Sequence, residues 1–223
     1  VKLDLVGEVE RVVRQRNSLL KDLGPRPNAG LLASLDAWDE KFSAVGDELG
    51  RARAAVVRDI APQVQAAYAA LAGADHEVAI AYDAPWRDEG LSAALRASRD
   101  ADLRRGTSTV GPHRDDVLVT INDLTARTQG SHGEQHSLGL ALRMAIHHAV
   151  SDRWQSPPVL VLDDVLAGLD ARRKSAVFER FLTHLPTRQV VVTSPETLPA
   201  SPRITRVIRI VAGTISDGTP EAR

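Results

Sequence analysis

The chain has 223 residues, 43% hydrophobic and 26% charged, enough for a proper core in one large domain or two small ones, which excludes disordered and fibrous classes. Its 28 Lys and Arg against 29 Asp and Glu leave a net charge of −1, so no global positive field draws it to nucleic acid or membrane, and such binding would use local patches. The absence of cysteine excludes disulfides, thiolate zinc sites and cysteine nucleophiles; with no uninterrupted apolar run of about 18 residues either, the sequence reads as cytoplasmic, without a membrane span.

Residues 3–21 carry Leu5, Val9, Val12, Val13, Leu19 and Leu20 among Arg and Glu, a helical stripe that stops at a turn over Gly24-Pro25-Arg26-Pro27. Beyond it Leu31, Leu35, Trp38, Phe42, Val45, Leu49, Ala52 and Val56 recur at alternating steps of four and three. Such a seam must face another helix along its length, so residues 29–72 are expected to form a long arm helix, bent or interrupted at Pro62 and packed on the helix at 3–21. The pattern changes near residue 74, which sets expected domains of 1–74, a helical arm or lobe, and 75–223, an α/β unit.

In the second region Val78, Ile80 and Tyr82 alternate as in a half-buried strand, and a helix with Leu91, Leu95 and Leu103 follows. Val117, Val119 and Ile121 form a second alternating run, closed by the turn pair Asn122-Asp123. A glycine-containing loop then opens a helix with Leu138, Leu142, Ala145 and Ala149 on one face. The run Val159-Leu160-Val161-Leu162 predicts a strand buried on both faces, and Asp170 is placed to cap a helix with Val177, Phe181 and Leu185 inward. Val190–Val192 and Val207–Val211 predict two further strands, and the tail from about Asp217 reads as loose.

The chemistry gathers where the apolar run ends in Asp163-Asp164. Carboxylates at the carboxyl end of a buried parallel strand stand where open α/β sheets bind ligands, and they suit Mg²⁺: Asp163 to hold the ion, Asp164 to orient or deprotonate a water attacking a phosphate. Upstream, Ser131-His132-Gly133-Glu134-Gln135 opens a helix whose unpaired N–H groups and dipole favour an anion. The same letters also read as an ordinary capping box, Ser131 with Glu134. Arginine clusters at Arg11, Arg14 and Arg16, and at Arg96, Arg99, Arg104 and Arg105, could touch DNA phosphates or simply form solvated helix faces.

Taken together, Ser-x-Gly-x-Gln opening a helix, the strand ending in Asp163-Asp164, and Leu169-Asp170 resemble the signature, Walker B and D-loop of ABC-type ATPases. Arg14-Gln15-Arg16-Asn17-Ser18-Leu19-Leu20-Lys21, Gly111-Pro112-His113-Arg114-Asp115-Asp116 and the stretch from Leu162 to Arg173 resemble, within that superfamily, the RecF family of bacterial DNA replication and repair proteins, over residues 8 to 199. The resemblance implies a head that binds ATP with Mg²⁺, dimerises around the nucleotide, binds single-stranded or gapped DNA and loads recombinase with mediators of the RecO and RecR type. It assigns Ser131, Gly133 and Gln135 to the signature, Asp163 to the metal, Asp164 to catalysis and Asp170 to the D-loop.

The sequence departs from that pattern. No G-x-x-x-x-G-K-[ST] occurs and no Gly-Lys pair exists, so the loop that cradles the β- and γ-phosphates is missing, and the chain is expected to be the C-terminal half of an ABC-type head with its helical arm, inactive in hydrolysis alone. His132 and Glu134 stand where glutamines are usual, and Ala167-Gly168 where Ser-Glu is usual. Two other readings stay open: a non-catalytic DNA- or protein-binding module, and an SMC-like head with a much shortened arm.

Overall fold

The structure, a computed structural model, describes residues 3–23, 29–73, 75–184, 189–198, 201–202 and 204–218. The chain divides into two compact units, Val1–Asp59 with Ile80–Leu118, and Ile60–Ala79 with Val119–Arg223. This division interleaves the chain instead of cutting it once near residue 74, because the two ends of the long helix serve different cores. The turn expected at Gly24–Pro27, the inward Leu185 and the last residues of the tail lie outside the described residues.

In the first unit, α1 (Leu3–Leu23) and the leading part of α2 (Ala29–Ala72) realise the two predicted helices. Leu35, Phe42 and Leu49 of the seam are buried, whereas Val56 at its end is 46% exposed. The seam is not sealed by α1 alone. Its core gathers Leu5, Val9, Val12 and Val13 of α1, Phe42 and Leu49 of α2, Trp86 of the short 3-10 turn Pro85–Arg87, and Leu91 and Leu95 of α3 (Leu91–Arg105). Trp86 fits because α2 has no side chain at Gly50, where a Cβ would stand 2.6 Å from the indole. The helix-propensity cost of that glycine, about 1 kcal/mol, is offset by burying the ring, whose Nε1 donates to Asp115 at 2.6 Å.

A charged knot lies inside the same unit and overturns one reading of the arginine clusters. Arg16 is fully buried, not poised for DNA: its Nε donates to Asp39 at 2.6 Å, and its Nη1 to Asp102 at 2.7 Å and Ser108 at 2.9 Å. Arg99 pairs with Asp39 at 2.7 Å and also with Asp36. Asp102 further accepts from the backbone N–H and hydroxyl of Thr109, and Asn17 accepts from Ser108. The acids that pair with Arg16 and Arg99 thus come from other helices of the unit, not from the same stretch of sequence.

The second unit is the α/β part. The helix α2 runs through Pro62 to Ala72 without a break; the donor lost at Pro62 is tolerated where Ile60, Val64, Tyr68 and Leu71 bury the adjoining turns. β1 (Val78–Asp83), β2 (Asp116–Ile121) and β3 (Leu124–Thr125) form one sheet in the order β1-β2-β3, of which Val78, Ala79, Val119–Ile121 and β3 belong to this unit. β2 and β3 are joined through Asn122 and Asp123 at φ 49° and 64°, the left-handed pair that a tight hairpin requires. One turn, α4 (Ala126–Gln129), leads to α5 (His132–Trp154), whose buried face is Ser137, Leu138, Leu140, Ala141, Met144 and Ala145; Ala149, expected inward, is exposed.

β4 (Leu160–Asp163) pairs in parallel with β5 (Val190–Thr193), Asp163 opposite Thr193. The expectation of a strand buried on both faces is corrected: Leu162 is 1% exposed, but Val159 and Val161 are 55% and 61% exposed. Only one face of this pair meets the core formed with α5 and Val177, Phe178 and Phe181. Those three continue α6 (Ala171–Ala176) as a π-helical turn, Val177–Phe181. β6 (Val207–Val211) and β7 (Thr214–Gly218) form an antiparallel hairpin, so Asp217, expected loose, is paired opposite Ile208.

Candidate functional site

The carboxylates end β4 as the sequence predicts. Asp163 is exposed and accepts a hydrogen bond from the hydroxyl of its strand neighbour Thr193. Asp164 turns the chain away with φ 48°, a left-handed conformation that aspartate tolerates, and its N–H donates to the Thr193 carbonyl at 3.2 Å and hydroxyl at 3.1 Å. Thr193 therefore holds the Asp163 carboxylate and the Asp164 backbone, and nothing in the local sequence pattern marks it. Two exposed carboxylates at this strand end offer hard oxygen donors.

After Asp164 the chain makes a compact turn through Ala167 and Gly168 and reaches Asp170, whose side chain caps α6 by accepting the Arg173 N–H at 2.8 Å. That bond, with the nearby Arg173 guanidinium, holds the Asp170 carboxyl below the usual range.

At the start of α5, the capping-box reading is realised in full. Ser131 accepts from the Glu134 N–H at 3.3 Å, and Glu134 accepts from the Ser131 N–H at 2.8 Å and hydroxyl at 2.7 Å. The hydroxyl bond, foremost, lowers the Glu134 carboxyl pKa. Gln135 donates to the carbonyls of Ala126, Arg127 and Gly130, so it closes the preceding loop.

Three contacts join the opening turn of α5 to the segment that follows β4. The His136 imidazole Nε2 lies 2.7 Å from the Val165 carbonyl. A Cβ built on Gly168 would stand 3.3 Å from His132 Nε2, so two of the unusual residues in the motif are neighbours. Arg173 Nη1 stands 3.0 Å from where a Cβ on Gly133 would be. His132 and His136 could have been taken for a metal pair from their spacing; their separate contacts speak against it, and no metal-holding group of three acids or imidazoles occurs among the described residues. The contacts of His136 and Arg173 were not foreseen, because they depend on partners distant in sequence. Among the described residues no helix is long and apolar enough to cross a membrane.

No family model matches the chain. It is 41% identical to the DNA replication and repair protein RecF of Frankia alni, covering 85% of this chain and 54% of that protein. Against the protein of the same name from Clavibacter sepedonicus it is 34% identical, over 98% of this chain and 60% of the relative. The chain thus spans little more than half the length of these relatives. A solved structure described as the recombination mediator protein RecF-ATP in the RecFOR pathway superposes with a TM-score of 0.75 at 22% identity, over 96% of this chain and 58% of that one, which establishes the shared fold. In sequence and in fold, the chain matches one part of these RecF proteins.

Proposed function

We propose that this chain supplies the signature, Walker B and D-loop side of an ATP-dependent, DNA-binding head that acts in DNA repair and recombination. The observation that carries the proposal is the joining of the α5 N-terminus to the carboxylate-ended strand, through His136 on the Val165 carbonyl and His132 against Gly168. A phosphate reader and a metal-binding strand end thereby share one small region of a single unit.

In this reading Ser131 and Gly133, with the N–H groups of the first turn, face the terminal phosphate of a nucleotide held by a partner subunit, while Gln135 braces the loop before them. Asp163 holds Mg²⁺, Asp164 orients the attacking water, and Asp170 serves the subunit interface. ATP and its metal supply the charge that binds the two faces together. These 223 residues hold no G-x-x-x-x-G-K-[ST], so in this reading they do not hydrolyse ATP by themselves. Single-stranded or gapped DNA and mediators of the RecO and RecR type are the proposed partners, in the cytoplasm.

The test is association of the purified chain with the full-length Frankia alni relative, followed by light scattering with and without Mg·ATP. Association that needs ATP, and that Ser131→Arg abolishes in a chain of unchanged circular dichroism, is expected. Association indifferent to ATP, or micromolar binding of Mg·ATP by the chain alone that Asp163→Ala removes, overturns the proposal. Loss of gapped-DNA binding with rising salt, unaffected by ATP, would instead favour a non-catalytic DNA-binding module.

A further inference from the structure

Arg173 stands beside the first turn of α5 against the helix dipole, drawn by the carboxylates of Asp170 and Glu134. A cation beside the first turn of a helix opposes the helix dipole, which favours anions there. Yet Nη1 of Arg173 comes so near the backbone of Gly133 that a Cβ would lie 3.0 Å away. The side chain is only 22% exposed, and its Nε is buried with no hydrogen-bond partner. What holds it is Asp170: Nη1 donates to the Asp170 carboxylate at 2.8 Å, while the other oxygen of that carboxylate caps the Arg173 N–H. A guanidinium clamped at one end and pressed on a glycine at the other transmits position between the two segments that touch it.

We infer that Arg173 is a positioning residue that couples the D-loop to the signature turn, and that a side chain at Gly133 would crowd its guanidinium, which stands 3.0 Å from the place of a Cβ. The small residue in the signature therefore serves an intramolecular contact, beyond any room it leaves for a ligand. The coupling itself is a property of the folded chain. Its consequence for nucleotide-driven pairing rests on the function proposed above.

Hydrogen exchange of the purified chain, read by mass spectrometry, tests the coupling without nucleotide. Arg173→Ala is expected to speed exchange several-fold at the amides of 134–138 in α5 while leaving the last turns of that helix unchanged, and Arg173→Lys to restore part of the protection. Gly133→Ala, which introduces a better helix former, is nevertheless expected to speed exchange at 171–175, because its methyl displaces the guanidinium. In the association assay, Arg173→Ala is expected to weaken ATP-dependent pairing about tenfold, and Arg173→Lys to weaken it less. Exchange changes confined to α6 in the Arg173 variants, or to α5 in Gly133→Ala, overturn the inference. If Arg173→Ala does not fold, the Gly133→Ala result decides. Coupled exchange in a chain that shows no ATP-dependent association leaves the inference standing and removes the proposed function instead.

Discussion

Replacing Arg16 by alanine isolates what the buried knot contributes. Arg16 and Asp102 are both 0% exposed, joined at 2.7 Å, and Arg16 also holds Asp39 at 2.6 Å. Removing the cation leaves Asp102 charged and dry, with only Thr109 and Ser98 hydrogen bonds for compensation, while Asp39 keeps Arg99. Breaking a buried pair from one side costs about 3–5 kcal/mol, a fall of roughly two to four orders of magnitude in the folded-to-unfolded ratio. Arg14, which reaches Glu10 at 3.9 Å on an exposed face, should cost less than about 0.5 kcal/mol when changed to alanine. Urea unfolding followed by circular dichroism measures both, and the midpoint of Arg16→Ala should fall far below that of Arg14→Ala. An Arg16→Ala chain within about 1 kcal/mol of the wild type would refute the claim that this arginine is structural and return it to the candidates for DNA contact.

Other outcomes follow from the same structure. Tyr82 is pushed up to about 12 by burial first and then by its hydrogen bond to Asp115, so its protonated form stabilises the fold fully below pH 10, and this contribution is lost as pH rises through about 12. Tyrosinate absorbance should show Tyr82 titrating well above 10, and Asp115→Asn should lower it only in part, since burial remains. His113 is lowered by burial, so it stays neutral in the fold. Stability should be full above pH 6.5 and decline as pH falls through its lower folded value, a dependence that thermal melts of His113→Gln should lack. Leu162→Ala should cost about 2–5 kcal/mol in urea unfolding and Val161→Thr less than about 0.5, because the two neighbours lie on opposite faces of β4.

How much of this was legible beforehand follows from how local each cause is. The caps at Ser131 and Asp170, the Asn122-Asp123 hairpin and the apolar runs rest on residues within a few positions of one another, and the structure places them as read. The one-sided burial of β4 was not legible: four apolar residues in a row fit a strand covered on both faces, and whether Val161 is covered depends on chain far away. Arg16 was misleading for a related reason. A cationic cluster looks alike whether its acids lie along the same helix or converge from α2 and α3, and Asp39 and Asp102 do the latter. Gly133 and Gly168 carried a signal that could be seen but not explained, since the side chains that press on them, Arg173 and His132, become neighbours only in the fold.

The two readings of Ser131, cap and phosphate ligand, compete for one proton. Its hydroxyl donates to Glu134 at 2.7 Å, so a phosphate oxygen arriving at the turn must take that donor from a carboxylate and approach its negative charge as well. Glu134→Ala should therefore act in opposite directions on two measurements. It removes the acceptor for the Ser131 N–H and weakens the cap by about 1 kcal/mol, seen as a lower unfolding midpoint. At the same time it frees the hydroxyl and strengthens ATP-dependent association with the full-length relative. Acid should act in the same sense: the Glu134 carboxyl lies below its ordinary 4.5 in the fold, so its stabilisation is present above that pH and is lost as pH falls through the lower folded value. A Glu134→Ala chain that loses stability and association together would show that the capping geometry itself is what a nucleotide-bearing partner recognises, and that Ser131 keeps its bond to Glu134 when the faces meet.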